Sequence, residues 1–531
     1  MNPDTRAELG RALAVALMTP LLALWPLPRV WGSALLGMPG QESADHLFGL
    51  WAALRAGQPL VVQSGQLNFP EGLRFVLVDP LNLAPFGLGS LFGPIAGFNT
   101  VLYAGLLVAG LAGALLAREL GGRAWVGALL AGLTPALVSG VSEGQTENFA
   151  LGFVGLQLVA LLRYGREGRT LWGGLAALGL AACFYGGPYN GVFAALLDAA
   201  VGLSLLRRRP GVLAVGAAAM ALVSPLAFAI LRLRPEELPG GAARVGLPEA
   251  TGLLHGFRGG LRYGVDLTDL AFPAPLTGGT HDIAHTGYLG LGVLVFACIA
   301  VWRQRALWPW LVGAAAFAVI SLGPHLYWRG EVLRLGGEPA LAPVGWLIAL
   351  VDDIGRMNRW YRAAGVASLL LVPLAARAAP GWMAPLLAID LLWLSPVPWP
   401  QGVLPPRFGE LATLSQPGAL LELPPNQDLL VRDSQGDENL YAATLHGRPL
   451  SGSFLGIPGW LGPAPEYRAL HGVGERGAPF EPSFWREKGF AYLVWYPRYA
   501  HLSPAGRASL GQALGPPVID EAEVVVWSLG P

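Results

Sequence analysis

Four groups of polar side chains interrupt an otherwise apolar chain, and each is of a type that can do chemistry. The first is Gln41-Glu-Ser-Ala-Asp-His46. On a helix starting there, Glu42 shares a face with Asp45 at i, i+3 and with His46 at i, i+4. A carboxylate such as Asp45 in that setting can take a proton from a hydroxyl or ligate a divalent cation, Mg or Mn. The plainer alternative is a helix N-terminus stabilised by acidic residues. The second group is Ser142-Glu-Gly-Gln-Thr-Glu-Asn148, whose carboxylates Glu143 and Glu147 have no Lys or Arg beside them. Either these carboxylates, with Gln145 and Asn148, bind a ligand or a metal, or the segment caps a helix beginning near Asn148.

The third group is His281-Asp-Ile-Ala-His285. Two His at i, i+4 can grip one metal, but the zinc signature needs Glu where Asp282 stands, and a third ligand besides. A polar helix start, or substrate hydrogen bonding by His281, Asp282 and His285, is the competing reading. In the fourth, Arg356, Arg359 and Arg362 recur every three residues. The planar guanidinium fork suits phosphate and would steady a phosphate leaving group. Pairing with nearby Asp352 and Asp353 is the alternative. Tyr185 and Asn190 are further candidate ligand contacts, whereas Asp198 and Asp390 fall inside apolar stretches and read as helix-to-helix contacts.

The elements that must position these groups follow from composition. Of 531 residues, 53% are hydrophobic and 13% charged, against about 25% charged in soluble domains. That excludes a water-soluble enzyme, a disordered chain and a disulfide scaffold, and places the chain among polytopic membrane proteins. Lys plus Arg equals Asp plus Glu at 35 each, so no basic excess points to nucleic acid as a partner. The balance is uneven: residues 400–531 hold 13 acidic and 9 basic side chains, against 22 and 26 before them. The two parts therefore face different surroundings. Cys183 and Cys298 both sit in apolar stretches and read as buried free thiols. No Gly-x-x-x-x-Gly-Lys motif supports nucleotide hydrolysis.

Apolar windows predict eleven spans: 10–28, 98–117, 123–139, 148–163, 170–185, 189–206, 211–230, 285–302, 306–323, 362–378 and 381–396. The first reads as a retained span, because no Ala-x-Ala-type cleavage site follows it. With the N-terminus in the cytoplasm, Arg6, Arg11, Arg118, Arg123, Arg163, Arg166, Arg169, Arg207 to Arg209, Arg303, Arg305 and Arg377 all fall on the cytoplasmic side, as the positive-inside rule requires. The exported side then carries loops 29–97, 231–284 and 324–361, all four polar groups, and the C-terminal part. Residues 80–95 and 341–354 are apolar but short and broken, which suits interfacial segments. In the tail, the β-like runs 419–423, 491–496 and 523–527 predict a small α/β domain.

Several motifs resemble a known family. They are Asp45-His-Leu-Phe-Gly-Leu-Trp51 after a first span, Gln66-Leu-Asn-Phe-Pro-Glu-Gly72, Asp79-Pro-Leu-Asn82, Gly144-Gln-Thr-Glu-Asn148, Tyr288-Leu-Gly-Leu291, the Arg-rich entry to span ten and His446-Gly-Arg-Pro-Leu450. Their order, from about residue 10 to 530, is similar to the bacterial polytopic proteins of the YfhO-like and related GT-C superfamily. The resemblance implies an all-α membrane bundle (residues 1–399) with an extracytoplasmic α/β domain (residues 400–531) in the bacterial inner membrane. It further implies transfer of a sugar from a polyprenyl-phosphate donor to a glycan, lipid or protein acceptor on the exported face, with membrane lipid as a partner.

Asp45 takes the place of the family's acidic residue in the first exported loop, with Glu42 and His46 beside it. His46 stands where the commoner patterns have a second acid, and a metal would fall to Asp45, Glu143 and Glu147. Two other classes stay open. One is a non-catalytic protein of envelope or polysaccharide assembly; the other is a transporter, which would require helices broken at mid-membrane and internal repeats.

Overall fold

The computed structural model describes residues 3–38, 42–233, 264–273, 286–351, 357, 359–395, 397, 400–403, 409–423, 434–453, 461, 464–497 and 501–530. The third polar group, His281 to His285, and Arg356 lie outside these, as do Asp352 and Asp353.

Helices dominate. Among the described residues, five are long and apolar enough to cross a membrane: Pro94–Glu119, Ala124–Glu143, Thr146–Glu167, Pro188–Leu205 and Val212–Leu231. Shorter apolar helices occupy Thr170–Gly186, Leu291–Arg303, Arg305–Ser321 and Gly381–Trp393. Helices Pro3–Ala23 and Ala363–Ala378 fill the places of the first and tenth expected spans. In the 212–231 helix only Ala219, Val223 and Leu226 are buried, while Leu213, Met220, Phe228 and Leu231 are exposed. An apolar helix that shows most of its surface has lipid rather than water as its solvent, so this is an integral membrane protein. At the other extreme, every residue from Ala363 to Ala376 is buried. That helix runs through the interior, packed on the 94–119, 291–303 and 308–321 helices.

Three departures from the expected elements have local causes. The third span is two helices, Ala124–Gly132 and Pro135–Glu143, joined at Thr134, whose extended ψ of 133° is what a residue before proline adopts. The eighth helix begins at Leu291 rather than 285, because Gly290 holds φ 83° and residues 286–290 are non-helical. Tyr288 therefore precedes the helix, and its hydroxyl donates to Asp390 Oδ1 at 2.6 Å. Gly292 N–H donates to Asp390 Oδ2 at 2.7 Å, so Asp390 is spent on helix contacts. Cys183 is buried, but Cys298 is exposed on an outer helix, contrary to the expectation for both.

The broken apolar segments form short helices at Leu83–Gly89 and Pro343–Leu350. Leu88, Leu91 and Phe92 stand out from the first, and Trp346 and Leu350 from the second. The C-terminal part carries a four-stranded sheet in the order Ile519–Asp520, Val525–Ser528, Phe490–Trp495, Ala419–Leu423, parallel only at the last pairing. Helices Pro465–Arg476, Pro482–Glu487 and Pro504–Leu514 complete it.

The C-terminal part is joined to the bundle through the loop after the first helix. Leu450 bridges Leu420 and donates its N–H to Gln66 O at 2.8 Å, while Phe69 N–H returns to Leu450 O at 3.0 Å. Phe69 also sets its ring edge-on to Phe490, centroids 5.2 Å apart. The Ser434–His446 helix packs on the Ser43–Ala56 helix, which carries the first polar group.

Candidate functional site

The 43–56 helix is aimed by the loop before it. Asn99, fully buried, donates to Trp31 O and Ala34 O at 2.9 Å each and accepts from Leu36 N–H at 3.0 Å, while Met38 N–H donates to Ser142 O at 2.8 Å. Gly144 ends the 135–143 helix at φ 73°, and a Cβ there would overlap the backbone of Ser43. Only glycine permits both the left-handed turn and this approach. The first two polar groups are brought together as a result, and a 3-10 turn, Thr146–Ala150, presents Thr146 and Glu147 to the start of the 43–56 helix.

Glu147 is the hub. Its Oε1 accepts from Arg362 Nη2 at 2.5 Å and lies 3.6 Å from Arg359 Nη1, and its Oε2 lies 3.0 Å from His46 Nε2. Arg359 reaches on to Glu42, with Nη2 at 3.3 Å from Oε1 and Nη1 at 3.4 Å from Oε2. Glu42 and His46 share a helix face as the i, i+4 spacing requires, 3.9 Å apart. Gln145 Oε1 accepts from Arg362 Nη2 at 3.1 Å and from Asn148 Nδ2 at 3.2 Å, and Asn190 Nδ2 donates to Glu147 O at 2.9 Å. Arg362 lies over the rings of Tyr189 and Tyr361. The arginines thus find their acids across the fold, in Glu42 and Glu147.

Asp79 completes the cluster, and no spacing rule singled it out. It is 1% exposed. Its Oδ2 accepts from Asn82 Nδ2 at 2.9 Å and from the Thr146 hydroxyl, whose oxygen is 2.9 Å from His46 Nδ1. Threonine has one hydroxyl proton, so with that proton on Asp79 the oxygen must accept from Nδ1. Nε2 faces Glu147 Oε2 at 3.0 Å. Acids on both sides of the ring, Asp79 toward Nδ1 and Glu147 toward Nε2, favour the imidazolium form of His46. Burial opposes that charge, but Glu147, Glu42 and Asp79 together raise the His46 pKa well above its ordinary value. Burial would raise Glu42 too; the Arg359 guanidinium and His46 outweigh it and hold the carboxyl well below the usual range. For Asp79 burial wins over His46 and the Thr146 and Asn82 hydrogen bonds, and the carboxyl is pushed up to about 6.

Two crevices flank this charge cluster. The outer one is lined by Asp45, His46, Gly49, Asp79 and residues 75–78. The inner one lies between helices and is lined by Ser139, Asn148, Asn190, Thr286, Tyr361 and Arg362, with apolar Ala136, Leu151 and Gly365. Arg362 is 4% exposed, and among the described residues its Nε and Nη1 have no hydrogen-bond partner. Asp79 Oδ1 likewise has none among them.

Of the other expected residues, Asp45 stays at the crevice rim, partly exposed. Glu143 is buried at the end of its helix, and Tyr185 donates to Leu222 O at 3.2 Å. A divalent cation does not fit Glu147 or the carboxylates grouped around it. Both oxygens of Glu147 face cations, and among the described residues no three His, Cys, Asp or Glu side chains are grouped to hold a metal.

No family model matches the sequence, and no curated protein matches it. Solved structures do match. ArnT from Cupriavidus metallidurans, in a structure bound to undecaprenyl phosphate, is 14% identical over 98% of this chain and 98% of its own, with a TM-score of 0.50. The archaeal oligosaccharyltransferase AglB from Archaeoglobus fulgidus, with an inhibitory peptide and dolichol-phosphate, is 12% identical over 93% of this chain and 70% of its own, with a TM-score of 0.44. Matching ArnT over nearly the whole length of both chains, this chain shares the fold of that structure.

Proposed function

We propose that this protein transfers a sugar from a polyprenyl-phosphate donor to an acceptor at the exported face of the bacterial cytoplasmic membrane. In this reading eleven helices span the membrane, the N-terminus is cytoplasmic, and residues 400–531 form an extracytoplasmic domain. One observation carries the proposal: a buried guanidinium, Arg362, has two nitrogens, Nε and Nη1, without a hydrogen-bond partner among the described residues, and lines a crevice whose other walls are apolar helix faces and neutral amides and hydroxyls. Such a site suits a phosphate on an apolar tail, because the head meets a desolvated cation and the tail meets helix surface. The likeness to ArnT, a structure of which holds undecaprenyl phosphate, agrees with this ligand class.

The outer crevice takes the acceptor. A hydroxyl there faces Asp45 and Asp79, the carboxylates that line it. Its oxygen attacks the anomeric carbon from the side opposite the phosphate, its proton passes to Asp45, and the bond from carbon to phosphate oxygen breaks. The departing electron pair stays on the phosphate beside Arg362, with Arg359 and imidazolium His46 behind it. Glu42 and Glu147 hold these cations in place. The acceptor's own class, glycan, lipid or protein, is set by contacts outside this cluster.

Native mass spectrometry of the detergent-purified protein tests the donor site. Wild type is expected to carry polyprenyl-phosphate species, co-purified or added, and Arg362→Ala/Arg359→Ala to lose them. Retention of the lipid by the double variant, or its absence from wild type after addition, would remove the basis for a transferase. A non-catalytic lipid-binding protein of envelope assembly is favoured by His46, which stands where a second acid is expected. Asp45→Asn separates the two, since it should keep the lipid and lose turnover only in a transferase.

A further inference from the structure

Glu42, Asp79 and Glu147 face His46, Arg359 and Arg362 in one connected network, every link of which is 3.9 Å or less. Three negative and three positive groups cancel. An anion entering the inner crevice beside Arg362 breaks this balance where water cannot screen it, and an uncompensated buried charge is expensive. The arginines cannot adjust, because a guanidinium does not change its protonation state in a protein. One of the three carboxylates must respond.

We propose that binding of a phosphate-type anion in the Arg362 crevice is coupled to the uptake of one proton by Asp79, on the far side of the Glu147 and His46 pair. The inference rests on the donor-site reading above and assigns that site a second, linked ligand, the proton. Geometry selects Asp79 among the three. Glu147 is pinned between Arg362 at 2.5 Å and His46 at 3.0 Å. Glu42 is held by both terminal nitrogens of Arg359. Asp79 has only neutral hydrogen-bond partners, Thr146 and Asn82, and its nearest cation, His46 Nδ1, is 3.9 Å away.

Its second oxygen, Oδ1, has no partner among the described residues, and the residue lines the outer crevice, which gives a proton its route in. The charged groups around it are His46, Asp45 and Glu42 at the 43–56 helix and Glu147 on the 146–150 turn. Burial has already brought the Asp79 carboxyl up to about 6, so a further push of about three units from the arriving anion keeps the proton bound across pH 7–8.

The test is calorimetric titration of the full-length protein in detergent with farnesyl phosphate, in buffers of different ionisation enthalpy. The ligand's own protonation is common to all variants and drops out of the comparison. Wild type is expected to take up about one proton more than Asp79→Asn on binding, and its affinity, relative to that variant, to fall about ten-fold between pH 7 and 8. Asp79→Glu should retain the uptake, which shows that a carboxyl rather than side-chain shape is required. Equal proton uptake by wild type and Asp79→Asn, with binding intact in both, overturns the coupling and leaves the donor site standing. Binding that is absent in wild type, or unchanged in Arg362→Ala, overturns the donor site itself, and the coupling with it.

Discussion

Glu147→Gln is the substitution that tests the cluster most directly, because one carboxylate there serves three cations. Glutamine keeps the shape and can still accept from Arg362 Nη2, but it removes the charge that Arg362, Arg359 and His46 share at 2.5, 3.6 and 3.0 Å. Two carboxylates then face three cations, and both Glu147 and Arg362 are buried. Breaking a buried pair from one side costs about 3–5 kcal/mol, a large share of the roughly 5–15 kcal/mol that holds a typical protein together. The cost has a pH signature. Below the ordinary imidazole pKa of about 6.5 all three cations are enforced, whereas above it the variant's His46 can shed its proton and relieve the excess.

Thermal unfolding in detergent should therefore show Glu147→Gln well below wild type at pH 6 and closer to it at pH 8. The Glu147→Gln/Arg362→Gln double variant should lose at least about 1 kcal/mol less than the two single variants together. A single variant within about 0.5 kcal/mol of wild type at pH 6, or strict additivity in the cycle, would refute the reasoning, for the acid would then not be neutralising the arginine.

Asp79 carries the opposite sign. Its pKa is raised from 3.8 to about 6, so it favours the folded state fully only below its unfolded value, and that contribution is lost as pH rises through about 6. Asp79→Asn should then stabilise the protein above pH 6 by up to about 3 kcal/mol, seen as a higher unfolding temperature at pH 7.5 but not at about pH 3. His46 is also raised, so its contribution is complete below its unfolded value and fades only as pH climbs through the higher folded one; the deficit of His46→Gln in the same assay should shrink on that climb. Asp390→Leu strands the Tyr288 hydroxyl and the Gly292 N–H, each at about 1–3 kcal/mol; a melting curve unchanged from wild type would count against that contact. Phe69→Ala removes an edge-to-face pair worth about 0.5–1.5 kcal/mol beyond its area, and hydrogen exchange should rise at Phe69 and Leu450 together while the 363–378 helix stays protected.

What the sequence reveals here follows the range of the interactions. Apolar windows locate the helices, since each helix satisfies its own backbone and needs only a long apolar run. The ends are less legible where one residue decides them, as Pro135 splits a span and Gly290 delays another. Glu42 and His46 are readable as a pair because four residues on a helix make them neighbours. Arg359 and Arg362 are readable as exceptional because they defy the charge asymmetry of the loops.

Their partners are not readable in the same way. Sequence proximity favours Asp352 and Asp353, whereas the fold supplies Glu42 from 317 positions away and Glu147 from 215. Asp79 is the extreme case. In sequence it belongs to the Asp79-Pro-Leu-Asn82 motif, but no spacing assigns it a partner until the 146–150 turn brings a threonine hydroxyl to it across 67 positions. A usable signal did exist in retrospect: in a chain so poor in charge, an acid with no base near it must find its cation elsewhere or give up its charge. Glu147 does the first. Asp79, with neutral donors on one oxygen and none on the other among the described residues, is placed to do the second, so an acid whose partners no spacing in the sequence predicts is the one whose charge the bound ligand would decide.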